Sequence, residues 1–131
     1  QFKLAVCQLS ICADKEQNIR HAREAIQTAA DGGSKLVLLP EMWNCPYSNT
    51  SFPIYAEDID AGDSPSSNML SDMAGYHHRW LLLERNGDHL YNTCCIYGKD
   101  GSLKGKHRKV CFYDASSTVF SQPSFTPGSI F

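Results

Sequence analysis

Residues 35–43 read Lys-Leu-Val-Leu-Leu-Pro-Glu-Met-Trp, and the interpretation of the whole chain begins with this stretch. Its unbroken apolar run is typical of a short strand buried in a sheet. Pro40 ends the strand, because proline has no N–H to donate to a neighbouring strand. Glu41 is therefore predicted to lie just past the carboxyl end of a strand, the edge where open α/β sheets bind ligands.

A carboxylate at that edge has two interpretations. Next to Leu39, Met42 and Trp43 it would lose hydration and hold a proton more readily than a solvated Glu, as a general base requires. Alternatively, Glu41 is an ordinary solvated side chain in a strand-to-loop turn, because most residues in such positions have no catalytic role. From this segment alone the second interpretation is favoured.

The composition is that of an ordinary globular domain. The chain has 131 residues, 42% hydrophobic and 20% charged, with a formal net charge of −2. This length allows one domain with a modest core, and the charge argues against nucleic acid or an anionic membrane as a partner. No apolar run is long enough to span a bilayer. Because the sequence begins with Gln1, a removed signal or transit peptide stays open.

Six cysteines permit a disulfide framework, but their positions favour reduced thiols. Four of them lie in apolar, strand-like runs, where Cys behaves as a small hydrophobe. No Cys-x-x-Cys motif occurs, and adjacent Cys94 and Cys95 would point to opposite faces of a strand. We therefore expect an intracellular protein, cytoplasmic or in a plastid or mitochondrion after loss of a transit peptide.

The first half of the chain predicts a strand–helix–strand unit. Phe2–Leu9 reads as a strand, Asp14 can cap a helix, and Gly32-Gly33 ends that helix. The two strands should be parallel neighbours, with Glu41 at their shared carboxyl edge. Apolar residues recur at helical spacing and form the predicted buried side of the helix: Ile19, Ala22, Ile26 and Ala29.

The second half predicts a loop, a short helix and a hairpin. Residues 44–67 read as an ordered loop, and Ser64-Pro65, near its end, starts a helix. Asn-Gly at 86–87 and Asp-Gly at 100–101 are tight-turn signals, so 103–113 should return as a strand beside 89–97. Segment 76–83 has no clear period. Its adjacent histidines lack the spacing that places two ligands on one helix face, so no metal site is predicted.

Motifs in a fixed order resemble the nitrilase superfamily of carbon–nitrogen hydrolases. Within that superfamily, Trp-Asn-Cys-Pro-Tyr-Ser-Asn at 43–49 and Tyr-Ala-Glu-Asp-Ile at 55–59 look most like the omega-amidase branch. An ordered set of motifs is far more specific than any one of them. The motifs that carry the superfamily resemblance are Phe2–Leu9, Lys35–Glu41, Tyr91–Thr93 and Lys106–Lys109.

The likeness covers residues 1–74 and 84–110, whereas 75–83 and 115–131 diverge. It implies a single, partial carbon–nitrogen hydrolase domain over residues 1–131. The implied α/β fold is a nitrilase-like α-β-β-α sandwich, truncated to about its front half. Members of this family associate through their helices, so a homo-oligomer or other protein subunits are the implied partners.

The family's chemistry uses a Glu, a Lys and a Cys, and the resemblance implies Glu41 and Lys109 for the first two. The Glu takes the proton of the thiol, the thiolate attacks an amide carbonyl, and the Lys offsets the charge of the oxyanion. An omega-amidase does this to the terminal amide of 2-oxoglutaramate or 2-oxosuccinamate and releases ammonia. No metal, organic cofactor, nucleic acid or membrane is implied; the small-molecule amide is the expected ligand.

The nucleophile departs from the family pattern. The family's Cys lies in a later strand-to-helix turn, whereas Cys111 follows Lys109 by two residues on one strand and is not assigned that role. We therefore expect this chain to lack the nucleophile. Three interpretations stay open: the front half of an omega-amidase, an inactive nitrilase-like chain that associates with a larger assembly, and a small redox or metal protein.

Overall fold

The computed structural model describes residues 2–62, 64–74 and 77–109, with the side chains of 77–81 and 83 outside that description. The five strands of this part of the chain form one sheet in the order β1-β2-β3-β4-β5. In chain order the elements are β1 (Leu4–Val6), α1 (Lys15–Asp31), β2 (Leu36–Leu38), α2 (Phe52–Tyr55), α3 (Pro65–Asp72), β3 (His77–Asn86), β4 (His89–Tyr97) and β5 (Leu103–Arg108).

The sheet is parallel on one side and antiparallel on the other. β1 pairs parallel with β2, which places Leu4 opposite Leu36, and β2 pairs parallel with β3. Strands β3, β4 and β5 pair antiparallel in succession. Gly87 lies in the turn between β3 and β4, and Gly101 lies in the turn between β4 and β5. Their φ angles are +58° and +76°, which glycine adopts without steric cost. The predicted strand–helix–strand unit and both turns are confirmed.

The predicted helix forms and buries the predicted side, although two of the four predicted positions are less buried than expected. The Asp14 side chain accepts a hydrogen bond from the Gln17 N–H at 3.0 Å, which caps the first turn. Ile19 and Ala29, both expected in the core, are only partly buried. The buried positions are instead spaced by four residues: Asn18, Ala22, Ile26 and Ala30.

Asn18 heads this buried stripe because its amide is fully satisfied there. Its Nδ2 donates to the Cys12 carbonyl at 2.8 Å, and its Oδ1 accepts from the Cys12 N–H at 2.9 Å. A buried amide with both groups paired carries little penalty. Asn18 therefore fixes the connection that leads from β1 into α1.

Several predicted boundaries are wrong. The first strand spans Leu4–Val6 rather than residues 2–9, and a short helix, α2, lies inside the predicted loop. Segment 77–83, which had no readable period, belongs to the ten-residue strand β3. Residues 35–39 were expected to be buried throughout, but only Val37 and Leu39 are, and Leu36 and Leu38 on either side of Val37 are half-buried.

Helices α1 and α3 cover one face of the sheet. The core there joins Ile26 of α1, Leu70 of α3, Val37 of β2 and Cys95 of β4, each fully removed from water. Burial of apolar surface contributes about 25 cal/mol per Å² to folding. This helix-covered face holds the parallel strands in place, and their carboxyl ends then define one edge of the sheet.

The opposite face is apolar and incompletely covered. Side chains alternate along a strand, so Leu4 and Val6 point away from the core that Ala5 contacts. Leu36 and Leu38 likewise point away from the core, because Val37 between them faces it. Val6 is 75% exposed and Leu4 is 48% exposed. A contiguous apolar face of this kind marks a surface that another layer of protein covers.

We expect the chain to associate through this face. Val6→Lys should reduce the associated fraction, because a charge on the face opposes its burial. Ile54→Lys on α2 is the matched control, since Ile54 is 76% exposed, like Val6, but lies outside the sheet. Sedimentation velocity measures the outcome, and a monodisperse, well-folded monomer of the unsubstituted chain would contradict the expectation.

Candidate active site

Glu41 and Lys109 meet at the carboxyl edge of the parallel strands. Glu41 follows β2 and Lys109 follows β5, and the Lys109 Nζ lies 2.9 Å from the Glu41 Oε1. The Nδ2 of Asn92, on β4, donates a hydrogen bond to the same oxygen. The two predicted site residues are therefore in direct contact although 68 positions separate them in the sequence.

Backbone pairing places the two donors side by side. The Lys109 N–H donates to the Asn92 carbonyl at 2.7 Å, which extends the β4–β5 pairing one residue past β5. Thr93 and Arg108 are partners in the same ladder. Because side chains alternate, Asn92 and Lys109 share the face opposite to Thr93 and Arg108. That is the face left uncovered by α1 and α3.

The three side chains of the site differ in burial, with Asn92 the most buried and Lys109 the most exposed. Asn92 is 3% exposed, whereas the side chains of Glu41 and Lys109 are 32% and 51% exposed. One of the two interpretations of the sequence had the carboxylate desolvated by Met42 and Trp43, but those two side chains turn into the core, where they are 3% and 0% exposed. Polar donors rather than apolar contacts therefore define the surroundings of the carboxylate.

The two donors leave the carboxylate asymmetric. Asn92 and Lys109 both bind Oε1 of Glu41. Within the described ranges, no residue donates a hydrogen bond to Oε2. One oxygen of the carboxylate is thus anchored by donors from β4 and from the residue after β5.

Met42 turns the chain immediately after Glu41. Its φ is +56°, a left-handed conformation that costs a non-glycine residue on the order of 1 kcal/mol. The Met42 side chain is buried in a cluster with Cys45, Phe52 and Leu90, and this packing offsets the strain. The turn sends residue 42 inward while Glu41 stays at the sheet edge.

On the helix-covered face, Glu84 binds the partners that lie beneath the site. It is 1% exposed and accepts hydrogen bonds from the Arg108 guanidinium at 2.8 and 3.0 Å. Lys106 Nζ and Thr93 Oγ1 donate to it at 2.7 and 2.6 Å. Burial alone would raise the pKa of Glu84, but the hydrogen bonds from Arg108, Lys106 and Thr93 outweigh it, and the pKa is lowered.

This network supports the site from the other side of the sheet. Thr93 directly follows Asn92, and Arg108 directly precedes Lys109. Glu84 bonds to both Thr93 and Arg108 and so holds the two strands in register at that point. Sequence analysis did not identify Glu84, because its partners come from two other strands.

A second buried carboxylate fixes the loop that follows the site. Glu57 accepts from the hydroxyl and the N–H of Ser66 at 2.7 and 3.0 Å, and lies 3.0 Å from the Lys15 ammonium. Burial alone would raise the pKa of Glu57, but hydrogen bonds from Ser64 and Ser66 and the charge of Lys15 together lower it. Glu57 belongs to the 55–59 segment that carries the omega-amidase likeness.

The described thiols with shifted pKa values are poor nucleophiles. Burial raises the pKa of Cys7, raises that of Cys45 to about 11, and raises that of Cys95 to about 12. A nucleophilic cysteine needs the opposite shift, because the thiolate is the reactive form. Cys111 lies outside the described residues.

Neither a metal centre nor a membrane span is found in the part of the chain that the structure describes. No group of three or more His, Cys, Asp or Glu side chains within it could hold a metal ion. No helix within it is both long enough and apolar enough to cross a bilayer.

Glu84→Gln should destabilise the protein by about 3 kcal/mol at neutral pH, because Arg108 and Lys106 lose their buried counter-charge. The lowered pKa of Glu84 also predicts a pH dependence. Its stabilising contribution is complete above the unfolded-state value, near 4.3, and is lost as the pH falls through the lower folded-state value. Urea unfolding between pH 7 and pH 3 measures both effects.

The control is Asp88→Asn, in the exposed turn between β3 and β4. It should leave the stability within about 0.5 kcal/mol of the original chain. The role given to Glu84 would be wrong if Glu84→Gln matched the original chain in both stability and pH slope.

Comparisons with known proteins identify the family. The family model of carbon-nitrogen hydrolases matches residues 3–130. The chloroplastic omega-amidase of Arabidopsis thaliana is 54% identical over 120 residues, which cover 87% of this chain and 32% of that protein. The human omega-amidase NIT2 is 36% identical over 138 residues, covering 99% of this chain and 49% of that protein.

Solved structures agree on the fold. One similar structure is that of Saccharomyces cerevisiae Nit3, a member of branch 10 of the nitrilase superfamily. It superposes with a TM-score of 0.81 at 34% identity, and the match covers 95% of this chain and 49% of the Nit3 chain. An amidase from Nesterenkonia sp. AN1 has a TM-score of 0.77 at 20% identity, covering 97% of this chain and 51% of its own.

The likeness therefore extends over nearly all of the chain but only part of each relative. The chain spans about a third to a half of the length of the relatives it matches. The predicted α/β fold, part of a nitrilase-like sandwich, is confirmed by these structural neighbours. The chain belongs to the carbon-nitrogen hydrolase family of the nitrilase superfamily.

Proposed function

We propose that this chain supplies the general base and the cationic group of an omega-amidase-type amidohydrolase. Glu41 is the base and Lys109 is the cation. The observation that carries the proposal is the 2.9 Å contact between the Lys109 Nζ and the Glu41 Oε1 at the carboxyl edge of the sheet. The similarity to proteins named omega-amidase supports the terminal amide of a 2-oxo acid such as 2-oxoglutaramate as the substrate.

The first half-reaction transfers the acyl group to a thiol. Glu41 takes the proton of the thiol, and the thiolate attacks the amide carbon. The Lys109 ammonium has three N–H groups, so it can hold Glu41 and still face the oxygen on which negative charge develops. When the C–N bond breaks, the proton on Glu41 passes to the nitrogen, ammonia leaves and a thioester remains.

The second half-reaction uses the same base. Glu41 takes a proton from water, the resulting hydroxide attacks the thioester carbon, and the C–S bond breaks. The carboxylic acid leaves, and the proton returns from Glu41 to the sulfur. The partial exposure of Glu41, at 32%, leaves a path for this water to reach the carboxylate.

We infer that the attacking thiol comes from outside these 131 residues. Burial raises the pKa of Cys45 to about 11 and that of Cys95 to about 12, which disfavours their thiolates. Cys111 is not assigned this role, because it follows Lys109 by only two residues in the sequence. The uncovered sheet face around Leu4 and Val6 is where a second layer carrying the thiol would pack.

We also infer that the protein works inside the cell, with further subunits or further chain completing the sandwich. Cys7, Cys12, Cys45 and Cys95 are free thiols, as expected in a reducing compartment. The Arabidopsis relative carries the word chloroplastic in its name, which supports an organelle as the compartment.

Ammonia release from 2-oxoglutaramate tests the proposal. The 131-residue chain alone should show no turnover. A chimera in which residues 1–109 replace the matching front part of the Arabidopsis omega-amidase should be active, because the remainder supplies the thiol and the second layer. In that chimera, Glu41→Gln and Lys109→Met should each reduce kcat by at least about 100-fold, since each removes a group that acts in the transition state.

Glu24→Gln, on the exposed side of α1, is the control and should leave kcat unchanged. An active chimera that keeps full kcat after Glu41→Gln would contradict the role of Glu41. Turnover by the bare chain that Cys111→Ala abolishes would contradict the assignment of the thiol to another segment.

A further inference from the structure

We propose that Asn92 is a positioning residue that holds Glu41 against Lys109 and leaves Oε2 of Glu41 as the proton-accepting atom. The proposal rests on the function proposed above, because it assigns a role within the same site. Asn92 lies in the Tyr91–Thr93 motif, to which sequence analysis gave no role. Its geometry assigns one.

The first step is that Asn92 contacts both partners by different groups. Its side-chain Nδ2 donates to Oε1 of Glu41, and its main-chain carbonyl accepts from the Lys109 N–H at 2.7 Å. The Nζ of Lys109 donates to the same Oε1 of Glu41 at 2.9 Å. Asn92 therefore anchors the Glu41 carboxylate directly and fixes the backbone position from which the Lys109 side chain reaches the same oxygen.

Oε2 is the oxygen of Glu41 that is left to react. With Nδ2 and Nζ both on Oε1, the carboxylate cannot rotate without losing two charge-assisted hydrogen bonds. Oε2 is then held in one direction, as a base that must meet a thiol proton requires. A neutral amide achieves this without adding a second cation, which would make the carboxylate a weaker base.

The third step is the cost of the arrangement. Asn92 is 3% exposed, and its Oδ1 is buried with no hydrogen-bond partner among the described residues. The amide is oriented by the carboxylate, because turning Oδ1 towards Glu41 would place two acceptors together. A buried, half-satisfied amide is destabilising, so an apolar residue would serve better here if packing were its only task.

Asn92→Leu tests that distinction, because leucine is similar in size and has no donor. In the active chimera we expect kcat to fall about 10- to 100-fold with KM changed by less than about threefold, since orientation of the base is lost and substrate binding is not. Asn92→Ala has a smaller side chain than leucine and should give the same loss of kcat. It provides the test if Asn92→Leu does not fold. Asn68→Leu, exposed on α3, is the control.

A second readout is independent of turnover. Carbodiimide coupling of glycine ethyl ester to carboxyl groups, located by mass spectrometry, should label Glu41 several-fold faster in Asn92→Leu than in the unsubstituted 131-residue chain. Buried Glu57 and Glu84 and exposed Glu24 are internal references whose labelling should not change. Circular dichroism shows whether each variant is folded.

The outcomes separate this proposal from the proposed function. Unchanged kcat and unchanged Glu41 labelling in folded Asn92→Leu and Asn92→Ala would overturn it. A raised KM with unchanged kcat would also overturn it, because Asn92 would then bind substrate. If no chimera released ammonia but Glu41 labelling still rose in Asn92→Leu, the amidase proposal would fail and the positioning role would stand.

Discussion

The candidate site depends on one shared acceptor, the Oε1 atom of Glu41. That atom receives the Lys109 ammonium at 2.9 Å and the Asn92 amide, and so ties the end of β2 to the end of the β4–β5 hairpin. Strand β3 joins the parallel and antiparallel parts of the sheet, and this contact adds a side-chain link across β3 at the sheet edge. The helix-covered core stabilises the fold, whereas the contacts of Glu41 with Lys109 and Asn92 place charged and polar groups at the sheet edge.

A second constraint acts from the opposite face. Glu84 is fully buried and neutralised by Arg108 and Lys106, and it bonds to Thr93. The residues adjacent to Thr93 and Arg108 in the chain are the two donors to Glu41. Because side chains alternate along β4 and β5, the ion pairs of Glu84 hold one face, whereas Asn92 and Lys109 contact Glu41 on the other.

Local signals predicted much of the fold. Asp14 and the glycines after Asp31 set the limits of α1, and Gly87 and Gly101 occupy turns that need positive φ. The contact between Glu41 and Lys109 followed from family resemblance rather than from local pattern. Asn92 was missed because its role depends on the register of β4 with β5, although a polar residue amid a β-forming run was a usable signal. Glu84 was missed because its partners come from two other strands, and Glu57 because its partners lie in α1 and at the start of α3.

A crystal structure of the protein tests the central claim most directly, by measuring the distance from the Lys109 Nζ to the Glu41 carboxylate. The account predicts a separation near 2.9 Å, with the Asn92 amide on the same oxygen. Glu41 and Lys109 on opposite faces of the sheet, or separated by more than about 6 Å, would contradict it, because charges at that range no longer act as one site.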